Sequence, residues 1–114
     1  MEGVKHLHIL WTNADVVTSK LMVFMYATNA LSRGWWDKVT VVIWGATAKL
    51  AAENKEIQEK ITAAAEAGAE ISACIACATE LGVADKLREL DIEVKPWGPP
   101  LTQVIQQGMP LITV

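Results

Sequence analysis

Cys74-Ile75-Ala76-Cys77 is the sharpest chemical feature of the chain. It lies where a strand is expected to end and a helix to begin. Free backbone N–H groups and the positive end of the helix dipole gather there, and both stabilise a thiolate. A C-x-x-C pair has three functional readings. A structural zinc site needs four ligands, and the other soft candidates are His6 and His8. These sit in the body of strand one. At about 3.3 Å per residue, His8 falls roughly 10 Å short of the rim where Cys74 lies. No metal is therefore expected. A dithiol redox pair has the right spacing, but its flanks, Ile75 and Ala76, are apolar. Persulfide carriage on one cysteine is the third. The structural alternative is that both thiols are small buried hydrophobes.

The other candidates are weaker. His6 and His8 are two apart and share one strand face, where histidines usually serve structure. Trp44 and Trp97 fall at rim positions, where they either cap the core or line a pocket. Trp35-Trp36 follows helix one, and an exposed aromatic pair there suggests an interface. Asn13 and Asp15 read as caps of helix one. No G-x-G-x-x-G, P-loop or G-x-S-x-G motif occurs, so no nucleotide cofactor or serine elbow is implied.

Strands and helices alternate along the chain, which predicts a parallel sheet covered on both faces. Strands are expected at Val4 to Trp11, Lys38 to Trp44, Ala69 to Cys74, Ile92 to Lys95 and Leu111 to Val114. Helices are expected at Val16 to Leu31, Thr47 to Ala52, Lys55 to Ala67 and Cys77 to Leu90, with a last one starting near Pro99. Glu56 and Lys60 are spaced for an i,i+4 ion pair. Glu93 and Lys95 put charge on one side of strand four, which suits a sheet edge. Ligands of such sheets bind beyond the strand C-termini, near a switch in strand order. The rim then comprises Thr12, Asn13 and Asp15; Trp44 and Gly45; Cys74 to Cys77; and Trp97 to Pro100. Helix one is apolar almost all round, so one side of it is expected to meet another subunit.

The chain has 114 residues, 52% of them hydrophobic, and a formal charge of −3. That size fits one domain spanning 1–114. The acidic balance, with its scattered basic residues, excludes a general nucleic-acid or anionic-membrane binder. The start, Met-Glu-Gly-Val-Lys-His, does not read as a secretory leader, and no apolar run reaches the ~20 residues of a membrane span. A cytoplasmic protein is expected.

Several segments together resemble the DsrE family, the small DsrE/DsrF-like and TusD-like proteins of sulfur metabolism. They are Ile43-Trp44-Gly45, the stretch from Ile71 to Gly82 (ISACIACATELG), Ile92 to Lys95 running into Gly98-Pro99-Pro100-Leu101-Thr102, and the terminal Leu111 to Val114. The resemblance covers almost the whole chain. It implies a three-layer α/β/α fold with a five-stranded, mainly parallel sheet, and assembly into trimers or hexamers. In sulfur-relay members a cysteine eight residues before a helix glycine accepts and passes on persulfide sulfur. Cys74 and Gly82 match that spacing; Cys77 has no clear counterpart. The function implied is a sulfur carrier or sulfurtransferase acting through Cys74 with donor and acceptor proteins and without a cofactor. Cys77 is a second candidate catalytic thiol. Thr12, Asn13, Trp44, Gly45, Trp97 and Gly98 are the expected pocket lining. A dithiol redox protein and a non-catalytic binding subunit are the alternatives.

Overall fold

The computed structural model describes residues 3–114; Met1 and Glu2, where the reading of the N-terminus begins, lie outside them. Five strands form one wholly parallel sheet: β1 (His6–Trp11), β2 (Lys38–Ile43), β3 (Glu70–Cys74), β4 (Glu93–Lys95) and β5 (Leu111–Thr113), in the order β4-β3-β2-β1-β5. The expected edge position of β4 is correct. Seven helices join them: α1 (Val16–Thr18), a π-helical turn over Ser19–Phe24 running into α2 (Met25–Ser32), α3 (Thr47–Glu53), α4 (Lys55–Glu66), α5 (Ile75–Glu80), α6 (Ala84–Glu89) and α7 (Gly98–Gln106).

The outer layers are very unequal. Alternation along the strands sends Leu7, Ile9, Trp11, Val39, Val41, Ile43 and Ala73 to one face. There they form the main core with Val23, Phe24, Ala27, Ala51, Ile57, Ala64 and Leu87 of the helices. The Trp11 and Phe24 rings meet edge to face, 4.8 Å apart at 86°. The opposite face presents Leu10, Val42 and Cys74 to Trp97 and Leu101. The winding makes this so. After β4 the chain crosses from one sheet edge to the other to reach β5, and α7 lies on that crossing.

Nearer the strand N-termini the same face is polar. The His6 and His8 ring centroids stand 4.0 Å apart. His6 Nε2 is 2.7 Å from Thr40 Oγ1, and Thr40 Oγ1 is 3.5 Å from Glu70 Oε2. Lys38 Nζ lies 2.9 Å from Glu70 Oε1. His8 Nδ1 is 3.2 Å from the Pro110 carbonyl; that carbonyl can only accept, so Nδ1 carries the proton. The structural reading of both histidines holds.

The first helical segment departs from a plain α-helix. Asp15 caps it as expected, accepting from the Thr18 N–H at 2.8 Å, and Asn13 Oδ1 accepts from the Asp15 N–H. Buried Ser19 is then held by Trp11 and Asn13: the Trp11 indole N–H donates to Ser19 Oγ, which donates to the Asn13 carbonyl, both at 2.9 Å. The widened turn follows. It buries Val23 and Phe24 and leaves Leu21 and Met22 exposed, as are Val17 before it and Met25 after it, 42–60% each. Glu56 pairs with Lys20 across helices at 2.9 Å, where the sequence suggested Lys60.

The expected helix Cys77 to Leu90 is two helices, and it starts earlier. Gly82 takes φ +70 after Leu81, with Val83 N–H donating to the Ala78 carbonyl at 2.8 Å. A left-handed residue of this kind ends a helix. Ile75 already lies in α5, so Cys74 is its N-cap and Cys77 its third residue.

Two predictions follow from this packing. Thr47 is wholly buried; its hydroxyl accepts the Trp44 N–H (3.1 Å) and lies 2.7 Å from the Trp11 carbonyl, joining the β1 and β2 tips to α3. Thr47→Val should cost about 1–2 kcal/mol in urea denaturation; a loss under about 0.3 kcal/mol would contradict this role. Burial, then repulsion by His8 and Lys38, lowers the His6 pKa, with Glu70 opposing. Protonation of His6 thus costs more in the folded chain than in the unfolded one. Its stabilising share is complete above the ordinary histidine pKa of about 6.5 and is lost as pH falls below it. Melting temperature should drop more steeply from pH 7 to 5.5 (roughly the histidine range) in the native chain than in His6→Gln. Parallel profiles would show that His6 is not the group responsible.

Candidate functional site

Strand β3 ends on Cys74, whose backbone (φ −68, ψ 121) is still extended. The next residue is helical, so the chain turns sharply beside the sulfur. Cys74 is 4% exposed and packs with Val42 and Trp97, with Leu10, Trp44, Cys77 and Leu101 around them. Both thiols are free. The expectation of a tip cysteine is right in position, but the tip is roofed. The thiol facing outward is Cys77.

Cys77 lines a shallow depression of about 290 Å³ with Gly45, Ala46, Glu80 and Leu81. Its side chain packs against the apolar cluster that holds Cys74. Gly45, which lines the same depression, has φ +68, a conformation that favours glycine. Burial pushes the Cys77 pKa up; the neighbouring Cys74 adds to the rise, and the Gly45 N–H opposes it. Cys77 therefore keeps its proton at neutral pH. α5 has only six residues, so little helix dipole stands behind the pair.

The roof is built from residues whose part the sequence does not announce. The Trp97 indole N–H donates to Ser72 Oγ at 2.8 Å, and Ser72 Oγ donates to Glu93 Oε1 at 2.9 Å. Lys95 Nζ lies 3.5 Å from Glu93 Oε1 and 4.9 Å from the centroid of the Trp97 ring. Lys95 is also the cross-strand partner of Cys74, so both project from one face. Charged alternation in β4 reads as a solvated edge, and the signal that it serves Trp97 exists only in the sheet register. Trp97 thus caps the core, its N–H bonded and its ring packed in the buried cluster with Cys74.

The expected rim divides. Trp44, Trp97 and the two cysteines come together with Val42, Leu10 and Leu101, and Gly45 joins them through Cys77. Thr12 and Asn13 lie apart, at the β1–β5 end: Thr12 Oγ1 donates to the Val114 carbonyl at 3.0 Å, and the Asn13 carbonyl accepts from Trp11 and Ser19. Gly98 is exposed at the start of α7, and its carbonyl accepts from Thr102 at 2.8 Å. The winding reverses at β1, yet the cysteines sit two strands away. The site therefore owes its wall to the α7 crossing and not to a crevice at the switch. Trp35 is exposed with Arg33 over its ring, whereas Trp36 is half-buried and donates to the Tyr26 hydroxyl at 3.0 Å. Among the described residues no three His, Cys, Asp or Glu side chains converge as a metal site would require, and no helix is long and apolar enough to cross a membrane.

No curated protein matches the chain. Among solved structures, a conserved protein of unknown function from Bacteroides thetaiotaomicron is similar at 35% identity and a TM-score of 0.94, covering 96% of this chain and 95% of that one. The family model for DsrE/DsrF-like proteins matches residues 11–114, which takes in four of the five strands, every helix and both cysteines. The chain belongs to the DsrE/DsrF-like family.

Proposed function

We propose that this chain carries sulfane sulfur as a persulfide on Cys74, within a sulfur relay. The observation that carries the reading is the placement of Cys74 against Trp97, Val42 and Leu101, beside one open thiol. A persulfide is easily oxidised and readily exchanged, so a carrier gains from keeping it out of water. The Cys74 thiolate attacks the outer sulfur of a donor persulfide. A sulfur–sulfur bond forms at Cys74, the donor's own sulfur–sulfur bond breaks, and the donor leaves as a thiolate. An acceptor thiolate repeats the exchange to take the sulfur on. Lys95, the cross-strand partner of Cys74, lies on the same side of the sheet. Family membership supports a role in sulfur metabolism.

The depression beside Cys77, about 290 Å³, is at the small end for a ligand pocket. It suits a side-chain-sized group, such as a persulfide presented by a partner protein. We place the protein in the cytoplasm, where free thiols persist.

Assembly is part of the same proposal. Val17, Leu21, Met22 and Met25 form an uncharged stripe, and nearby Lys20 is already paired with Glu56. The fitting partner for such a stripe is the same stripe on a second copy, and trimers or hexamers are the expected assemblies. Leu21 is exposed, so Leu21→Glu leaves the core intact. Light scattering on a sizing column should show an oligomer that the variant reduces to monomers. A monomeric native chain would end this part of the proposal.

The carrier role is tested by incubating the protein with glutathione persulfide and measuring intact mass. The native chain should gain one sulfur atom, and Cys74→Ser should lose that gain at least tenfold (about 1.4 kcal/mol in an equilibrium). Equal uptake by Cys74→Ser would overturn the assignment.

A further inference from the structure

We infer that the Cys74–Cys77 pair also releases sulfur: the Cys77 thiol closes onto a Cys74 persulfide and sets its outer sulfur free as hydrosulfide. This rests on the reading that Cys74 carries the persulfide, and it adds a second outcome for that sulfur. Three observations support it. The two residues are the N-cap and third residue of α5, and residues three apart on one turn are neighbours. Cys77 packs against the small cluster that Cys74 forms with Val42 and Trp97. Cys77 also lines the open depression, whereas Cys74 does not.

The step balances without any added reagent. Cys74–S–S⁻ and Cys77–SH become a Cys74–Cys77 disulfide and HS⁻. The bond between the Cys74 sulfur and the outer sulfur breaks, and a bond between the two cysteine sulfurs forms. The outer sulfur takes up the electron pair and the Cys77 proton. It is reduced by two electrons, and the two cysteine sulfurs supply them. A dithiol reductant then reopens the disulfide by ordinary exchange and is itself oxidised.

The surroundings of Cys77 set the order of events. Burial holds its proton on, so the closing step is slow and the persulfide persists long enough to meet an acceptor. An acceptor that arrives in time receives the sulfur; otherwise the pair discharges it. Cys77 thus works as a timed discharge for a loaded carrier.

The test uses the full chain and Cys77→Ser, each loaded with glutathione persulfide and freed of excess donor. Hydrosulfide is trapped with a bimane reagent, and thiol states are read by peptide mass spectrometry. The native chain should release about one hydrosulfide per persulfide and acquire the Cys74–Cys77 disulfide. Cys77→Ser should hold its sulfur on Cys74 and release it at least tenfold more slowly, about the loss expected when an intramolecular thiol is removed. Cys77→Ala, which suits the apolar wall, should behave as the serine variant does. Equal release rates, or a native chain that keeps its persulfide with Cys77 free, overturn the inference while leaving the carrier role standing. Failure of every variant to take up sulfur on Cys74 removes the carrier role and this inference together.

Discussion

The indole of Trp97 stays over Cys74 because its N–H reaches Ser72 Oγ at 2.8 Å. Much of the site depends on that bond. Ser72 and Cys74 are two residues apart on β3 and so share a face, one fastening the wall and the other placed beneath it. Ser72 is itself oriented by Glu93, and Glu93 by Lys95, so the wall is anchored in the neighbouring strand. A buried indole N–H without a partner costs about 1–3 kcal/mol. Without Ser72 the ring has reason to turn towards water and open the cysteine to solvent. The short β4 strand is therefore more than an edge. Its two charged residues hold the roof, while its backbone sets the register that brings Lys95 beside Cys74.

The unequal layers of the sheet have the same origin. Parallel sheets usually bury both faces in apolar side chains. Here one face carries the helices from α1 to α6 and the other only α7, because a single connection crosses that way. Where α7 and Trp97 lie, the strands offer Leu10, Val42 and Cys74. Towards the strand N-termini, His6, Thr40, Lys38 and Glu70 satisfy one another by hydrogen bonds and an ion pair, and His8 bonds the Pro110 carbonyl. No buried side-chain nitrogen or oxygen among the described residues lacks a partner. The chain thus marks the extent of its third layer by residue type.

Much of the architecture can be read from the sequence. The β-branched run Lys38 to Ile43, the glycines that follow α2, α4, α5 and α7, and the prolines at the start of α7 give the strand–helix alternation. Strand order is harder to read, because it is set by contacts between segments far apart in the chain. The π-helical turn escapes for a related reason: Ser19 is pinned by Trp11 and Asn13, partners on another element. The missed break at Gly82 is different. Its signal was present, since a glycine followed by Val83 is what a left-handed cap uses, but the apolar spacing of Leu81, Ala84 and Leu87 suggested continuity. For the site, motif and strand end placed the cysteines correctly. They did not show which is buried, because exposure is decided by α7, more than twenty residues further on. Rim position alone groups Thr12, Asn13 and Gly98 with the site, whereas hydrogen bonding commits them elsewhere.

A crystal structure of the chain loaded with a persulfide donor under reducing-agent-free conditions tests the central claim most directly, with Cys77→Ser used to hold the loaded state. One extra sulfur bonded to Cys74 Sγ, lying against Trp97 and Leu101, is the result predicted. An unmodified Cys74 beneath an undisturbed Trp97, in crystals of protein exposed to excess donor, would contradict it.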